Sequence, residues 1–308
     1  MLVPGGSGAA ADRPHRGRSV TREGVRAPER AGCRSARTKI AQDQEVVVHP
    51  YTVFKTLLFR PVIRLLWRPW IEGVENVPSS GPVILVSNHV SWGDTLVTPA
   101  MLPRQMTFPA KAEIFDARGK GPAAKLVAWF LRTVGIQPMD RSGGRASVGS
   151  LEAVNEHLRR TGLVLGIYPE GTRSPDGRLY KGKTGVARLV LSGEAPVLPV
   201  GLVSSEIHRG PLGVPMMHRP GIRIGRPLDF SEYRGTTPSR EVLRWVTDEI
   251  MAAIQELTGQ EYVDVYASSV KTGALSEADL ADKVLARPGL GTTKPPVPVA
   301  AGAGADGA

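Results

Sequence analysis

The 308-residue sequence contains a single cysteine, Cys33, and its six histidines form no cluster with it. One thiol cannot form an internal disulfide, and structural zinc sites need several Cys and His ligands. A disulfide-stapled domain and a cysteine-based zinc domain are therefore excluded, and a reducing compartment is expected. No metal site, bound cofactor or catalytic cysteine is predicted.

The sequence also has no apolar run long enough to span a membrane, which takes about 20 mostly apolar residues. Between Tyr51 and Trp70 apolar residues recur at helical spacing, but four basic residues interrupt them, and Pro61 predicts a kink or a division into two helices. This pattern favours an amphipathic helical segment over residues 45–72 that lies at a membrane surface, with its basic side chains reaching the headgroups. A helix packed on the core would show the same periodicity.

Acidic residues are fewer than basic ones, and the formal net charge is +10. Residues 1–39 account for +6 of this charge, because eight arginines and Lys39 face only three acidic residues there. Residues 1–44 also lack apolar periodicity and the apolar core of a secretory signal, so they are predicted to be a disordered basic tail. The rest of the chain is mildly basic, which fits an anionic membrane surface as partner and no nucleic acid.

Short apolar runs alternate with helical patterns between residues 73 and 265. This alternation predicts an α/β domain with a mostly parallel or mixed central sheet flanked by helices. Residues 266–308 end in a stretch rich in Pro, Gly and Ala and are predicted to be a largely disordered extension. The predicted strands are 82–87, 106–110, 164–168, 197–203 and 222–224, and the predicted helices are 94–102, 122–134, 144–160, 184–192 and 239–258.

The first chemistry-bearing segment follows the apolar run at 82–87, which leads directly into Asn88 and His89. His89 is therefore expected at the carboxyl end of a buried strand, where α/β proteins build their sites. Asp94 follows near a helix start, and its carboxylate can bind one ring nitrogen and leave the other to take a proton from an attacking hydroxyl. The alternative is a lone histidine near an Asp that only caps the helix.

A second polar segment follows the apolar run at 164–168. It combines Glu170, Gly171, Thr172 and Arg173, which bring a carboxylate, a flexible glycine, a hydroxyl and a guanidinium suited to phosphate oxygens. The alternative is a polar surface turn in which the Glu170 carboxylate pairs with the Arg173 guanidinium.

Two further basic residues occupy similar places in the pattern. Lys111 follows the predicted strand 106–110, and Arg141 ends the segment 135–141. Because the carboxyl ends of parallel strands meet at one edge of a sheet, Lys111, Arg141 and Arg173 are expected to converge near His89, where they would suit a substrate phosphate. Scattered surface bases would account for each residue separately.

Taken in order, these segments resemble the blocks of the lysophosphatidic acid and glycerolipid acyltransferase superfamily. The resemblance covers roughly residues 50–260. The second block departs from the family, because Ile-Gln-Pro-Met precedes Asp140 where members often carry an aromatic residue. The blocks are Asn-His-Val-Ser-Trp-Gly-Asp at 88–94, Gly-Ile-Gln-Pro-Met-Asp-Arg at 135–141, Glu-Gly-Thr-Arg-Ser at 170–174 and Ala-Pro-Val-Leu-Pro-Val at 195–200.

The resemblance implies transfer of an acyl group from an acyl-CoA or acyl-ACP thioester to a glycerolipid hydroxyl, with no further cofactor. His89 would be the general base and Asp94 its orienting partner. The proline-centred block at 195–200 would shape the acyl or thioester pocket. The phosphate-bearing acceptor would be bound by Lys111, Arg141, Glu170, Gly171, Thr172 and Arg173.

The leading expectation is a 1-acyl-sn-glycerol-3-phosphate acyltransferase that makes phosphatidic acid in phospholipid biosynthesis. Its expected partners are a lysophospholipid acceptor, acyl-CoA or acyl carrier protein, and an anionic membrane surface, on the cytoplasmic face of the cell membrane as a peripheral or monotopic protein. Two alternatives remain open. One is acylation of glycerol-3-phosphate, a lyso-ornithine lipid or a glycolipid, and the other is a non-catalytic protein that binds anionic lipid.

Overall fold

The computed structural model describes residues 54–111, 121, 137–139 and 145–297. Its strands are β1 (Trp70–Glu72), β2 (Val83–Ser87), β3 (Met106–Thr107), β4 (Pro109–Lys111), β5 (Gln137–Met139), β6 (Val164–Ile167), β7 (Leu179–Tyr180), β8 (Val197–Val203), β9 (His208–Arg209), β10 (Pro215–Met216), β11 (Gly221–Ile224), β12 (Tyr262–Val263) and β13 (Val284–Leu285). Its α-helices are α1 (Arg60–Trp67), α2 (Asp94–Met101), α3 (Arg145–Thr161), α4 (Gly185–Ser192), α5 (Arg240–Thr258) and α6 (Ala267–Lys271). The predicted helix 122–134 lies outside the described residues.

A six-stranded sheet, in the order β1-β11-β8-β2-β6-β3, forms the centre of the fold. Strands β8, β2, β6 and β3 run parallel to one another, whereas β11 is antiparallel to β8 and β1 is parallel to β11. The predicted mixed α/β sheet is therefore confirmed. The parallel pairing brings the carboxyl ends of β2 and β6 to the same edge, so the segments that follow Ser87 and Ile167 emerge side by side.

Helices cover both faces of this sheet, which is why β2 is apolar along its whole length. Ile84 and Val86 belong to a buried cluster that includes side chains of α3, α4 and α5. Val83 and Leu85 point the opposite way, into a cluster that includes side chains of α1 and α2. This alternation follows from the two-residue period of a strand and makes β2 a rigid support for the residues after it.

The N-terminal helical segment runs without a break from residue 54 to Trp67, and next to Pro61 it changes from π-helical to α-helical geometry instead of dividing into two helices. A π-helical stretch, Lys55–Phe59, leads into α1, and Pro61 occupies the first turn of α1, where a missing N–H group costs no helical hydrogen bond. The Lys55 ammonium does not reach outward as expected for a headgroup-binding base. It is buried and donates to the carbonyls of Leu102 and Arg104 at 2.5 and 3.0 Å, which anchors the segment to the core.

The C-terminal segment differs from the largely disordered extension predicted for residues 266–308, because it is folded as far as residue 297. Strand β12 pairs with β13 and with β7, and this small sheet lies against a separate cluster of buried side chains. Ala267 and Leu280 join that cluster and supply apolar contacts that the polar composition of the segment conceals. None of the helices in the described part of the chain has both the length and the apolar character needed to cross a bilayer.

Candidate active site

Asn88 connects the end of β2 to β8. Its buried side-chain amide donates to the Leu202 carbonyl at 2.9 Å, and its carbonyl oxygen accepts from the Leu202 N–H at 2.8 Å. The amide also donates to Oε1 of Gln260 at 2.9 Å. These bonds continue the sheet pairing by one residue beyond Ser87 and fix the start of the loop that carries His89. Sequence reasoning assigned Asn88 no role, because its partner is 114 residues away.

His89 and Asp94 form a hydrogen-bonded pair with 2.9 Å between Nδ1 and Oδ2. Asp94 is buried and is the first residue of α2, where the helix dipole favours a negative charge. The same Oδ2 accepts the backbone N–H groups of Val90 and Ser91, both at 2.8 Å. Three donors on one oxygen stabilise the carboxylate, so Asp94 orients the imidazole as well as closing the turn before the helix.

The imidazole of His89 is held by a second contact, with the ring of Tyr168. The two rings stack with 3.9 Å between centroids and an interplanar angle of 14°. With Nδ1–H donating to Asp94, Nε2 keeps its lone pair. The side chain is 15% exposed, so the ring is oriented by protein on several sides and still accessible to a substrate.

Glu170 also acts on His89, through the backbone. Its side chain is buried, Oε2 accepts the His89 N–H at 2.9 Å, and Oε1 accepts the Tyr180 N–H at 3.0 Å. Burial raises the pKa of this carboxyl to about 8, while the two backbone N–H groups act in the opposite direction. Both oxygens face the protein interior, which favours a positioning role over the acceptor binding predicted from the sequence. The alternative ion pair with Arg173 is not formed.

The rest of the Glu-Gly-Thr-Arg-Ser turn lies beside His89. The Ser174 N–H donates to the His89 carbonyl at 2.6 Å, so this turn binds the backbone of His89 on both sides. Gly171 has a φ of +71°, which favours glycine. Thr172 is half-buried and Arg173 is exposed, so both can reach a bound acceptor. The two blocks singled out in the sequence are therefore brought together.

Of the predicted binding residues, Lys111 is described only in its backbone and Arg141 is not among the described residues. Lys111 is the last residue of β4, and its backbone pairs with Met139 of β5, but its side chain lies outside the described residues. Arg141 also lies outside them, so the convergence of Lys111, Arg141 and Arg173 stays a prediction. Within residues 54–111, 121, 137–139 and 145–297, no three metal-ligating side chains come together.

The proline-centred block at 195–200 runs alongside β2. Most of the block forms the buried first half of β8, and the Pro196 carbonyl accepts the Ile84 N–H at the amino end of β2. Ile84 precedes His89 by five residues, or roughly 16 Å of strand. Val200, at the other end of the block, pairs with Ser87 at the carboxyl end of β2. The block supports the sheet, and its role in shaping the acyl or thioester pocket stays a prediction.

The mixed sheet, the strand-end histidine and its buried carboxylate together define a class of α/β protein that holds an imidazole–carboxylate pair beside a polar turn. Residues 68–203 match the family model described as Acyltransferase. This match covers less than half of the 308-residue chain, and over that range the sequence is similar to acyltransferases. The matched range includes His89, Asp94 and the 170–174 turn, and it ends before β11, α5 and α6.

Curated relatives share this range. The chain is 34% identical over 136 residues to the chloroplastic 1-acyl-sn-glycerol-3-phosphate acyltransferase of Arabidopsis thaliana, a match that covers 44% of this chain and 36% of the relative. It is 28% identical over 136 residues to human 1-acyl-sn-glycerol-3-phosphate acyltransferase alpha, which covers 44% of this chain and 46% of the relative. The match therefore spans less than half of either relative.

A solved structure is similar over a longer range. The crystal structure of the 1-acyl-sn-glycerophosphate acyltransferase PlsC from Thermotoga maritima aligns with a TM-score of 0.50 and 24% sequence identity. The alignment covers 73% of this chain and 88% of that protein. This likeness concerns the fold and supports the mixed α/β architecture described above.

Proposed function

We propose that the protein is an O-acyltransferase that transfers an acyl group from an acyl-CoA or acyl-ACP thioester to the free hydroxyl of lysophosphatidic acid, giving phosphatidic acid. The observation that carries the proposal is the His89–Asp94 pair, 2.9 Å from Nδ1 to Oδ2, at the carboxyl end of β2. The relatives named 1-acyl-sn-glycerol-3-phosphate acyltransferases support this choice of acceptor.

In the proposed reaction, Nε2 of His89 takes the proton of the acceptor hydroxyl as the hydroxyl oxygen attacks the thioester carbonyl carbon. Asp94 stabilises the imidazolium that forms. The C–S bond of the tetrahedral intermediate then breaks, the ester is released, and the thiolate recovers the proton from Nε2. The acceptor supplies the nucleophile, so no acyl-enzyme forms.

The phosphate of the acceptor is assigned to the turn beside His89. Arg173 is exposed and forms no ion pair among the described residues, so its guanidinium is available for phosphate oxygens. Thr172 adds a hydroxyl on the same turn. Glu170 holds the backbone of His89 in register with this turn, which fixes the base relative to the bound phosphate.

The test is product identification with the purified full chain in detergent, given lysophosphatidic acid and labelled acyl-CoA or acyl-ACP. We expect labelled phosphatidic acid from the wild type, and no product from His89→Ala although lysophosphatidic acid still binds. Glycerol-3-phosphate, a lyso-ornithine lipid and a lysoglycolipid serve as parallel acceptors. Product from one of these with none from lysophosphatidic acid would refute the proposed acceptor, and thioester consumption by His89→Ala at the wild-type rate would refute the base.

The proposed acceptor is a lipid, and the N-terminal helices carry a surface that suits a membrane. Leu57, Leu58 and Leu65 are 73%, 56% and 81% exposed, whereas Ile63 and Trp67 pack into the core. We propose that these leucines dock the protein on an anionic bilayer as a peripheral protein, with the cytoplasmic face still a prediction. In liposome co-sedimentation, Leu65→Glu should weaken binding, whereas Leu290→Glu, at a leucine that is 56% exposed elsewhere, should not. Equal binding by both variants would refute the docking surface.

A further inference from the structure

The family-matched range ends at residue 203, yet a lysine beyond it reaches the Glu-Gly-Thr-Arg turn. Lys271, the last residue of α6, donates from Nζ to the Thr172 hydroxyl oxygen at 3.2 Å. A hydroxyl that accepts from an ammonium keeps its own O–H free to donate. The contact therefore leaves Thr172 able to hydrogen-bond an anion beside Lys271.

The fold explains how a residue 99 positions away arrives there. Strand β7 follows the turn directly and pairs in parallel with β12, and the Lys181 N–H donates to the Val265 carbonyl at 3.1 Å. Ala267 is buried in the cluster that contains Tyr180 and fixes the first residue of α6. The C-terminal segment is thus held against β7, with Lys271 over the turn.

A second lysine lies close to the same turn, at Gly171. The Nζ of Lys183 lies 3.2 Å from the place where a Cβ on Gly171 would stand, so the absence of a side chain at Gly171 makes room for this ammonium. The Lys183 N–H also donates to the Pro169 carbonyl at 2.8 Å. Gly171 and Thr172 therefore each lie against a lysine that the Glu-Gly-Thr-Arg-Ser block does not contain.

Among the described residues, Arg173, Lys183 and Lys271 take part in no ion pair. Burial and then the Arg173 guanidinium lower the pKa of Lys271, while Glu170 acts in the opposite direction. Both oxygens of Glu170 accept backbone N–H groups, and its carboxyl forms no ion pair with a lysine among the described residues.

We propose that Lys271 and Lys183, together with Thr172 and Arg173, form a binding subsite for a substrate phosphate on the Glu-Gly-Thr-Arg turn. The inference rests on the proposed function for the identity of the substrates. Phosphate is carried by the acceptor lipid and by the coenzyme A or carrier-protein donor. Without α6 the turn would lose Lys271 and keep Lys183.

The first test needs no turnover. The full chain in detergent is treated with an amine-acetylating reagent, with and without inorganic phosphate at constant ionic strength, and each lysine is quantified by mass spectrometry. Phosphate should slow labelling of Lys271 and Lys183 by about fivefold or more. Lys283, an exposed lysine of the same C-terminal segment, is the matched control and should be unaffected. If phosphate left the labelling rates of Lys271 and Lys183 unchanged, like that of Lys283, the subsite would be overturned.

The second test uses steady-state kinetics of Lys271→Ala, Lys271→Arg and the control Lys283→Ala. Loss of one charge-assisted hydrogen bond to phosphate should raise one KM by about tenfold, with kcat within about threefold of the wild type and partial recovery in Lys271→Arg. A raised KM for lysophosphatidic acid assigns the acceptor phosphate, and a raised KM for the thioester assigns the donor. A fall in kcat with both KM values unchanged would overturn the subsite. If the wild type gives no phosphatidic acid, the proposed function fails, and the labelling result still decides the subsite.

Discussion

Glu170→Gln tests whether a buried neutral carboxyl positions His89. In the folded chain burial raises the pKa of Glu170 from 4.5 to about 8. Between pH 4.5 and about 8 the folded state binds a proton that the unfolded state has lost. The contribution of Glu170 to the free energy of unfolding is therefore highest below pH 4.5, and it is lost as the pH rises to about 8. The fall is about 1.4 kcal/mol per pH unit, or about 4 kcal/mol between roughly pH 5 and 8.

The glutamine cannot ionise, so its contribution has no such slope. It does lose one acceptor, because an amide NH2 must face either the His89 or the Tyr180 N–H, at a cost of about 1–3 kcal/mol. At pH 5 the wild type should therefore be the more stable protein by this amount, and by pH 8.5 Glu170→Gln should be the more stable.

The assay is urea denaturation of both proteins in one non-ionic detergent at half-unit steps from pH 5 to 8.5, followed by tryptophan fluorescence. Only the difference between the two free energies of unfolding is interpreted, because other groups titrate equally in both proteins. A difference that stays constant across this range would show that Glu170 has the same charge in the folded and unfolded chains and would refute the reasoning.

Three further substitutions follow from the same site and its supports. In steady-state assays Asp94→Asn should lower kcat by about 10³-fold or more, because an amide stabilises the imidazolium poorly. The KM for lysophosphatidic acid should stay within about twofold of the wild type, and a rise in KM as large as the fall in kcat would contradict this role. Tyr168→Phe removes a buried hydroxyl that has no partner among the described residues, so the thermal midpoint should stay or rise slightly, and a clear fall would reveal a partner. Lys55→Met leaves the Leu102 and Arg104 carbonyls without their donor and should lower the free energy of unfolding by about 2–3 kcal/mol in denaturant titrations. A change near zero would count against the anchoring role of Lys55.

Local pattern was enough to predict the central strands. The run at 82–87 is apolar because both faces of β2 are covered, and 197–203 matches β8 residue for residue. The strand-end placement of His89 followed from the same pattern, since the polar residues begin where burial stops. For Pro61 the local pattern predicted the position of a change in the helix, because proline acts on its own helix, but the change is from π to α geometry and not a division.

The features that the sequence could not predict depend on partners that are not neighbours in the chain. The role of Asn88 depends on Leu202, and that of Glu170 on a backbone N–H ten residues along the chain, at Tyr180. The folding of residues 266–297 depends on pairing between β12 and β13, two strands too short to have a pattern of their own. Lys271 carries no local signal at all, because only the β7–β12 pairing brings α6 to the turn.

The two-sided attachment of His89 has a consequence for protein engineering. Its N–H binds Glu170 and its carbonyl binds Ser174, so the histidine loop and the Glu-Gly-Thr-Arg-Ser turn behave as one unit although 81 residues separate His89 from Glu170. A chimera that takes the histidine loop from a relative but keeps its own Glu-Gly-Thr-Arg-Ser turn would pair a loop and a turn from two different proteins. Grafts that exchange 88–94 and 170–174 together should preserve activity in cases where either exchange alone loses it.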